Sequence, residues 1–247
     1  MKKSIRKFYE WRDSKEHEER DNQNFIPVLK LFEKNKENGD TCFLDIGCYD
    51  GSKTILISEY TGARPFGIDF LSDRLLEANE KGIQTNKCDL NEESIPYPDE
   101  SFDFIFCGDV IEHLYSPDFL LEEIFRLLKP NGYAVITTPN MASWKGRVSL
   151  MFGWQPPLTE VSTKYKVGNP RIPNEPPSGH IRVFTPISLI ELVKLYSFGV
   201  EYIGGHITHG KPVDLFNRFT MMLDEIFLRI YPSMCDTIVI KIRKPLK

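Results

Sequence analysis

Four aspartates, Asp45, Asp69, Asp89 and Asp109, each close a short β-rich run of this 247-residue chain, and Glu112 and His113 follow the last of them. The first run leads through Asp45-Ile46-Gly47-Cys48-Tyr49-Asp50-Gly51 into a helical pattern. Glycines there let the backbone turn sharply and approach a ligand, and the helix start offers unsatisfied N–H groups to an anion. Asp69 lies 18 residues beyond Gly51, where a carboxylate at a strand end accepts both hydrogen bonds of a ribose diol. As a set the four acids describe a cleft of negative potential, suited to a nucleoside that carries positive charge. The dinucleotide spacing GxGxxG is absent, because Gly47 and Gly51 stand four residues apart. His113 and His180 are candidate general bases, since imidazole titrates near neutrality, and Glu112 is a third. His206 and His209 form an HxxH pair, but on a strand that spacing points two side chains to opposite faces. No metal is expected there or around Asp109, Glu112 and His113.

These residues need a scaffold, and the chain supplies one by alternation. TCFLDIGC, RPFGIDF, IQTNKCDL, FDFIFCGDV and YAVITTPN read as strands, with amphipathic stretches between most of them. That alternation predicts βαβ units and a parallel sheet covered by helices on both faces. Ser72 and Ser116 stand where N-caps belong, Pro117 at a first helical position, and Gly82 and Pro130-Asn131-Gly132 beyond helix ends. Phe119, Leu120, Ile124, Leu127 and Leu128 mark the buried stripe of the helix from Ser116. Residues 1–40 read as a helical prelude with Phe25, Val28, Leu29 and Phe32 on one face. Residues 41–140 form the main αβ repeat, and 181–247 close it with helices and strands. The 141–180 stretch breaks the rhythm with six prolines and two tryptophans, and a loop of that length is usually functional or mobile.

Composition narrows the classes further. The hydrophobic share of 41% and charged share of 27% are those of an ordinary globular protein, and one domain over 1–247 is expected. No apolar run reaches the ~18 residues of a membrane helix, and no apolar stretch follows the first lysines as in a signal peptide. Five cysteines without a CxxC pair predict free thiols in a reducing, cytoplasmic compartment. The net charge of −4 argues against nucleic acid as a partner.

The motifs also carry a resemblance. LDIGCYDG at 44–51 is similar to motif I of the class I S-adenosylmethionine-dependent methyltransferases, and GIDF at 67–70 resembles the acidic end of that family's second strand. KCDLN at 87–91 resembles its adenine-contacting loop. FDFIFCGDVIEHL and LLKPNGYAVITTPN resemble its fourth and fifth strands. The likeness is close over about 41–140 and looser beyond, and it points to the small-molecule enzymes of types 11 and 23. It implies a Rossmann-like α/β fold with a seven-stranded, mostly parallel sheet and an antiparallel last strand. It further implies that Asp45, Gly47, Cys48 and Gly51 hold the methionine part of the cofactor and Asp69 the ribose hydroxyls. Phe70 would flank the adenine, Asp89 and Leu90 would meet its amino edge, and Asp109 and Val110 would line the floor near the sulfonium. Tyr49 departs from the family's middle glycine, so its side chain must turn away or the loop must be reshaped.

Methyl transfer from a sulfonium leaves S-adenosylhomocysteine, and the protein mainly aligns the reactants and excludes water. An oxygen acceptor needs a base, for which His113, His180 and Glu112 stand ready. Trp144, Phe152 and Trp154 with Arg147, Lys164, Lys166 and Arg171 suit an acceptor with an apolar or ring-like body and an anionic part, such as a glycan or lipid-linked intermediate. The same 141–180 stretch, or the apolar helix over 212–231, could instead form a homodimer contact. Two other functions fit a fold of this kind: a nicotinamide-dependent oxidoreductase and a non-catalytic nucleoside-binding protein.

Overall fold

The centre of the sheet is built from runs too apolar to face water on either side. Strand β1 (Cys42–Ile46) keeps Phe43, Leu44 and Ile46 fully buried, as a parallel strand covered on both faces must. In the computed structural model, which describes residues 25–34, 40–170, 176–206, 220, 222–224, 226–227 and 230–246, β1 pairs in parallel with β2 (Arg64–Asp69) and β4 (Phe102–Gly108). Outward from these lie β3 (Gln84–Lys87), β5 (Leu128–Pro139), β6 (Gly199–His206) and β7 (Thr237–Arg243). The seven strands take the order β3-β2-β1-β4-β5-β7-β6, mostly parallel with the last strand antiparallel. The chain runs outward from β1 on one side and from β4 on the other. The crevice between their carboxyl ends is therefore the switch point at which open α/β sheets bind ligands.

The chain falls into two compact units, interleaved in sequence. Residues 27–138, 187–203 and 239–247 make the first. Its core includes an aromatic ladder in which Phe43 stacks on Phe104 at 4.9 Å and Phe104 on Tyr133 at 5.2 Å, following the strand register. Phe32 from the prelude packs on Phe104 and Phe106 at 5.6 and 5.8 Å. Val28 and Phe32 are buried as expected and Leu29 is half-buried; Phe25, which falls in the second unit, is buried as well. Removing a ring from such a stack costs about 3–5 kcal/mol.

Helix α1 (Ser52–Thr61) is bounded by Gly51 and Gly62, both left-handed. Helix α2 (Ser72–Glu80) starts one residue earlier than its sequence suggested: Leu71 is the N-cap and Ser72 already helical, with no side-chain cap. Ser116 does cap α3 (Pro117–Leu127), its Oγ accepting from the Phe119 amide at 3.2 Å. The buried stripe of α3 is Leu120, Leu121, Ile124 and Leu127. Phe119 is only half-buried, because at ~100° per residue it lies across the helix from the middle of that stripe. Pro130-Asn131-Gly132 is not the helix stop. The helix gives way to β5 at Leu128, and the register runs from Phe102↔Leu128 directly to Phe104↔Tyr133, so the tripeptide bulges within the strand.

Residues 1–26, 139–186 and 204–238 make the second unit. The 141–180 stretch is not all loop. It opens with α4 (Trp144–Met151), capped by Ser143, whose Oγ accepts from the Gly146 amide at 3.1 Å. Asn140, fully buried, ties its start: its Nδ2 donates to the Ser233 and Cys235 carbonyls at 2.7 and 2.8 Å, and its amide to the Asp236 carbonyl at 2.7 Å. Lys145 bridges Asp224 at 2.7 Å and Asp236 at 2.6 Å, and Trp144 Nε1 donates to Asp224 at 2.6 Å. Helix α5 (Pro186–Leu195) starts at the last residue of the 139–186 stretch and runs on in the first unit. Residues 220, 222–224, 226–227 and 230 are helical and Tyr231 is not, and the rest of the expected 212–231 helix lies outside the described residues. All five cysteines are free thiols.

Candidate functional site

At the carboxyl end of β1 the chain must leave a buried strand and enter α1 within five residues. Gly47 and Gly51 make this possible at φ of 80° and 79°, a region that side chains disfavour. Space requires them too. A Cβ on Gly47 would stand 2.4 Å from Val110 Cγ2, and one on Gly51 2.2 Å from Ile83 Cδ1. Tyr49 also adopts positive φ, at 52°, so the loop keeps a glycine-like turn despite the substitution. Its ring lies 4.8 Å from the Arg74 guanidinium of α2. The left-handed backbone at Tyr49 and the placement of its ring against Arg74 are how the loop accommodates the tyrosine.

The acids around this loop are held firmly and solvated poorly. Asp45 is buried and accepts from Thr54 Oγ1 at 2.6 Å. Burial, partly offset by that hydrogen bond and reinforced by the nearby charges of Asp69 and Asp50, pushes its carboxyl up to about 7. Asp69 Oδ2 accepts from the Tyr49 amide at 3.0 Å and Oδ1 from the Leu71 amide at 2.9 Å. Burial still raises its carboxyl above the usual range. Each oxygen keeps a further lone pair for a ligand hydroxyl. Asp50 behaves differently. Burial raises it, but Lys81 Nζ at 2.8 Å and the Ser52 hydroxyl at 2.6 Å outweigh burial and hold it low. Cys48 is buried and its thiol is pushed up by burial and by Asp45 and Asp69, which keeps it a neutral packing group.

Beyond β2, Phe70 is half-buried. Asp89 Oδ1 accepts from the Asn91 amide at 3.2 Å, and its carbonyl from the Glu92 and Glu93 amides. Asp89 therefore organises the turn after β3, with Leu90 buried beside it. After β4, Asp109 sits at φ 56°, a strain of about 1–3 kcal/mol for a residue with a Cβ. It is fixed by β5: its amide donates to the Thr137 carbonyl, and Thr137 Oγ1 donates to Oδ1, both at 3.0 Å.

The next β5 residue, Thr138, donates through Oγ1 to Glu112 Oε2 at 3.0 Å. Glu112 is buried in the short turn Ile111–His113, and its Oε1 has no hydrogen-bond partner among the described residues. Burial, then the Asp109 charge, pushes its carboxyl well above the carboxylate range. His113 Nε2 stands 4.0 Å from that oxygen, with its ring 15% exposed. A carboxyl that burial makes hold its proton more tightly, beside a half-buried imidazole, is a pair able to hold and move a proton.

The structure thus places Asp45, Gly47, Cys48, Gly51, Asp69, Asp109, Val110, Glu112 and His113 along the carboxyl edge of β1, β2 and β4. His180 belongs to the second unit, where its Nδ1 lies 3.0 Å from the Leu158 carbonyl. Glu160 accepts from the Ser178 and Gly179 amides beside it. His206 ends β6 with its side chain outside the described residues, as is all of His209. Sequence reasoning missed Thr54, Thr137 and Thr138, which hold the acids, and Lys81, which neutralises Asp50. Only the adjacent threonines of TTPN left a signal, since neighbours at a strand end point to opposite faces and so reach two different acids.

Comparison with known proteins shows the family and the fold. A family profile described as "Methyltransferase domain" matches residues 16–202. A demethylmenaquinone methyltransferase of Oceanobacillus iheyensis is 34% identical over 110 residues, covering 41% of this chain and 45% of that one. The chain spans about half the length of such curated relatives. Among solved structures, the methyltransferase in complex with the Haloferax volcanii Trm112 activator superposes with a TM-score of 0.67 at 14% identity, covering 99% of this chain and 98% of that one. Phosphoethanolamine N-methyltransferase 2 of Haemonchus contortus, in complex with S-adenosyl-L-methionine, gives 0.59 at 19% identity, covering 91% and 52%.

Proposed function

Because this chain belongs to the methyltransferase-domain family, we propose that it is an enzyme using S-adenosylmethionine to methylate an oxygen of a small-molecule acceptor. The observation that carries the reading is the set of buried acids at the switch point. Among the described residues, Asp45 and Asp69 stand there with no basic side chain in hydrogen-bond range, while Asp50 nearby has Lys81. Such a set fits a cationic nucleoside, and it fits a dinucleotide pyrophosphate poorly.

S-adenosylmethionine when bound supplies an electrophilic methyl group on a positively charged sulfur. The protein's part is placement. Asp69, braced by two backbone amides, holds the ribose hydroxyls, with Phe70 against the adenine and Asp89 and Leu90 at its amino edge. Asp45, Gly47, Cys48 and Gly51 shape the methionine end, and Asp109 and Val110 line the floor. His113 takes the acceptor's proton, with Glu112 behind it and His180 as the alternative base. The 141–180 stretch selects the acceptor. The relative named for demethylmenaquinone makes that compound a reasonable member of the first test panel.

Calorimetric titration with S-adenosylmethionine and with NAD tests the cofactor. Heat from NAD alone would overturn the reading in favour of the oxidoreductase. Turnover of hydroxyl and amine acceptors at saturating cofactor tests the chemistry. Loss of at least ~10²-fold in kcat is expected on replacing the true base, as general-base catalysis is typically worth that much. Full rate in both His113→Ala and His180→Ala would remove both from that role.

A further inference from the structure

Helix α4 is built inside out. The residues it buries are Gly146 and Ser149, and a Cβ on Gly146 would meet the Met141 carbonyl oxygen at 2.5 Å, so the small face is packed too closely to turn. That packing sends Val148, Leu150 and Met151 outward, and Phe152 follows them. Met151 is 82% exposed and Phe152 65%. The pattern continues along the segment. Residues 141–183 hold nine of the twenty-one large apolar side chains exposed among the described residues, including Val161 at 71% and Tyr165 at 69%.

Hydrogen bonds gather these side chains on one piece of structure. The Gln155 amide donates to the Gly168 carbonyl at 2.8 Å and Asn169 Nδ2 to the Gln155 carbonyl at 2.8 Å. They tie the Gly168-Asn169 turn to the residue after Trp154, whose ring lies 5.3 Å from that of Phe152. Charge separates this segment from the rest of the molecule. It carries six basic residues against two acidic ones in a chain of net charge −4. Lys145 is held by Asp224 and Asp236, whereas Arg147 and Lys164 are exposed beside the apolar side chains.

We propose that this face docks the enzyme on an anionic lipid bilayer. Leu150, Met151 and Phe152 enter the headgroup region, and Arg147 and Lys164 lie against the lipid phosphates. Exposed apolar and aromatic side chains beside Lys and Arg are the composition that binds an interface, and each basic residue near an anionic leaflet adds attraction that salt screens. A second copy of this chain suits the surface less well, because it would set one basic segment against another. The proposal does not rest on the methyl acceptor.

Co-sedimentation of the full chain with vesicles tests it, using phosphatidylcholine alone and phosphatidylcholine with phosphatidylglycerol. Partitioning onto the phosphatidylglycerol vesicles should exceed that onto phosphatidylcholine at least tenfold and shrink as salt is raised. The Met151→Ser/Phe152→Ser double variant should lose at least tenfold in partitioning, and Arg147→Glu/Lys164→Glu should lose the preference for anionic lipid. Leu76→Ser, which changes an exposed apolar residue on α2, should leave partitioning unchanged. Circular dichroism melts and S-adenosylmethionine titration check that each variant is folded. Equal partitioning by wild type and the Met151/Phe152 variant would overturn the proposal. So would failure of wild type to bind either vesicle, or self-association in sedimentation velocity that the same variant abolishes while vesicle binding is absent.

Discussion

The two edges of the sheet handle acidic residues in opposite ways. At the amino edge Glu33 and Glu201 share Lys241 and Arg243: Lys241 reaches Glu33 at 2.7 Å, Arg243 reaches it at 2.6 Å and also pairs with Glu201. Asp103 meets Lys129 at 2.8 Å. For Glu33 these cations outweigh partial burial and hold the carboxyl below its usual range, and for Glu201 the Arg243 hydrogen bond does the same. At the carboxyl edge Asp45, Asp69 and Glu112 are all raised, with burial the largest cause. The amino edge also has a cleft of about 320 Å³ between Glu33, Lys129, Tyr133 and Arg243. Charge separates the two edges more clearly: acids neutralised at one edge and raised by burial at the other are the pattern that marks the second as the candidate binding edge.

Glycine replacement should show the widest gap between the edges. Gly47→Ala meets both positive φ and the Val110 methyl, costs that together come to about 4 kcal/mol. Denaturant unfolding should show that loss, and calorimetry a matching loss of cofactor binding. Gly199→Ala at the start of β6 finds nothing nearer than 3.8 Å, at the Arg243 carbonyl, and should change stability by no more than about 0.5 kcal/mol. Equal losses would mean that the carboxyl-edge loop is no more constrained than an ordinary strand end.

Next in size is Asp69→Ala. Two charge-assisted hydrogen bonds to a ribose diol are worth about 1.5–3 kcal/mol each, so S-adenosylmethionine affinity should fall by roughly 10²-fold or more. Unchanged affinity in a folded variant would place the ribose elsewhere.

How far the sequence could reach is visible in these same residues. Strand alternation, the order of the acids and the glycine positions were legible because each is local: period two, a strand end, a turn. Which residue braces which acid was not. Thr54 reaches back nine positions to Asp45 and Thr138 reaches 26 to Glu112, and only strand register brings the second pair together. The bulge at Pro130-Asn131-Gly132 and helix α4 were missed for a related reason. Turn residues mark a break without saying whether a helix or a strand contains it, and a helix that buries Gly146 and Ser149 shows no ordinary apolar stripe.

Asp45→Asn separates the edges by pH. A carboxyl raised from 3.8 to about 7 in the folded chain binds its proton more tightly there than when unfolded. Its contribution is fully present below about pH 4 and lost as pH rises through 7. The asparagine keeps an acceptor for Thr54 and carries no charge. At pH 8 the variant should therefore be more stable than wild type by about 1–3 kcal/mol, and the difference should shrink towards pH 4. Cofactor affinity should fall at the same time, since the removed charge is the one a cationic ligand would meet. A stabilised variant with undiminished affinity would make Asp45 a structural acid, and the contrast between the edges would then rest on Asp69 and Glu112.

The smallest effect belongs to the amino edge, and its sign is opposite. Glu33 is lowered by Lys241 and Arg243, so its contribution is present above its unfolded value near 4.5 and lost as pH falls through the folded one. Its side chain is 56% exposed, and solvent screening leaves such a pair at about 0–1 kcal/mol. Glu33→Gln should thus cost less than about 1 kcal/mol at pH 7 and nothing near pH 3, with cofactor affinity untouched. Salt should erase the difference at pH 7, because exposed pairs are screened within about 10 Å at 0.1 M. The Asp45→Asn gain should largely survive the same salt, since burial is the largest cause of the rise of the Asp45 carboxyl and the Asp69 and Asp50 charges only add to it. Raising salt should therefore close the gap between Glu33→Gln and wild type and leave the gap between Asp45→Asn and wild type standing. If both responded to salt alike, the acids of the two edges would be solvated alike, and charge would no longer tell the binding edge from the structural one.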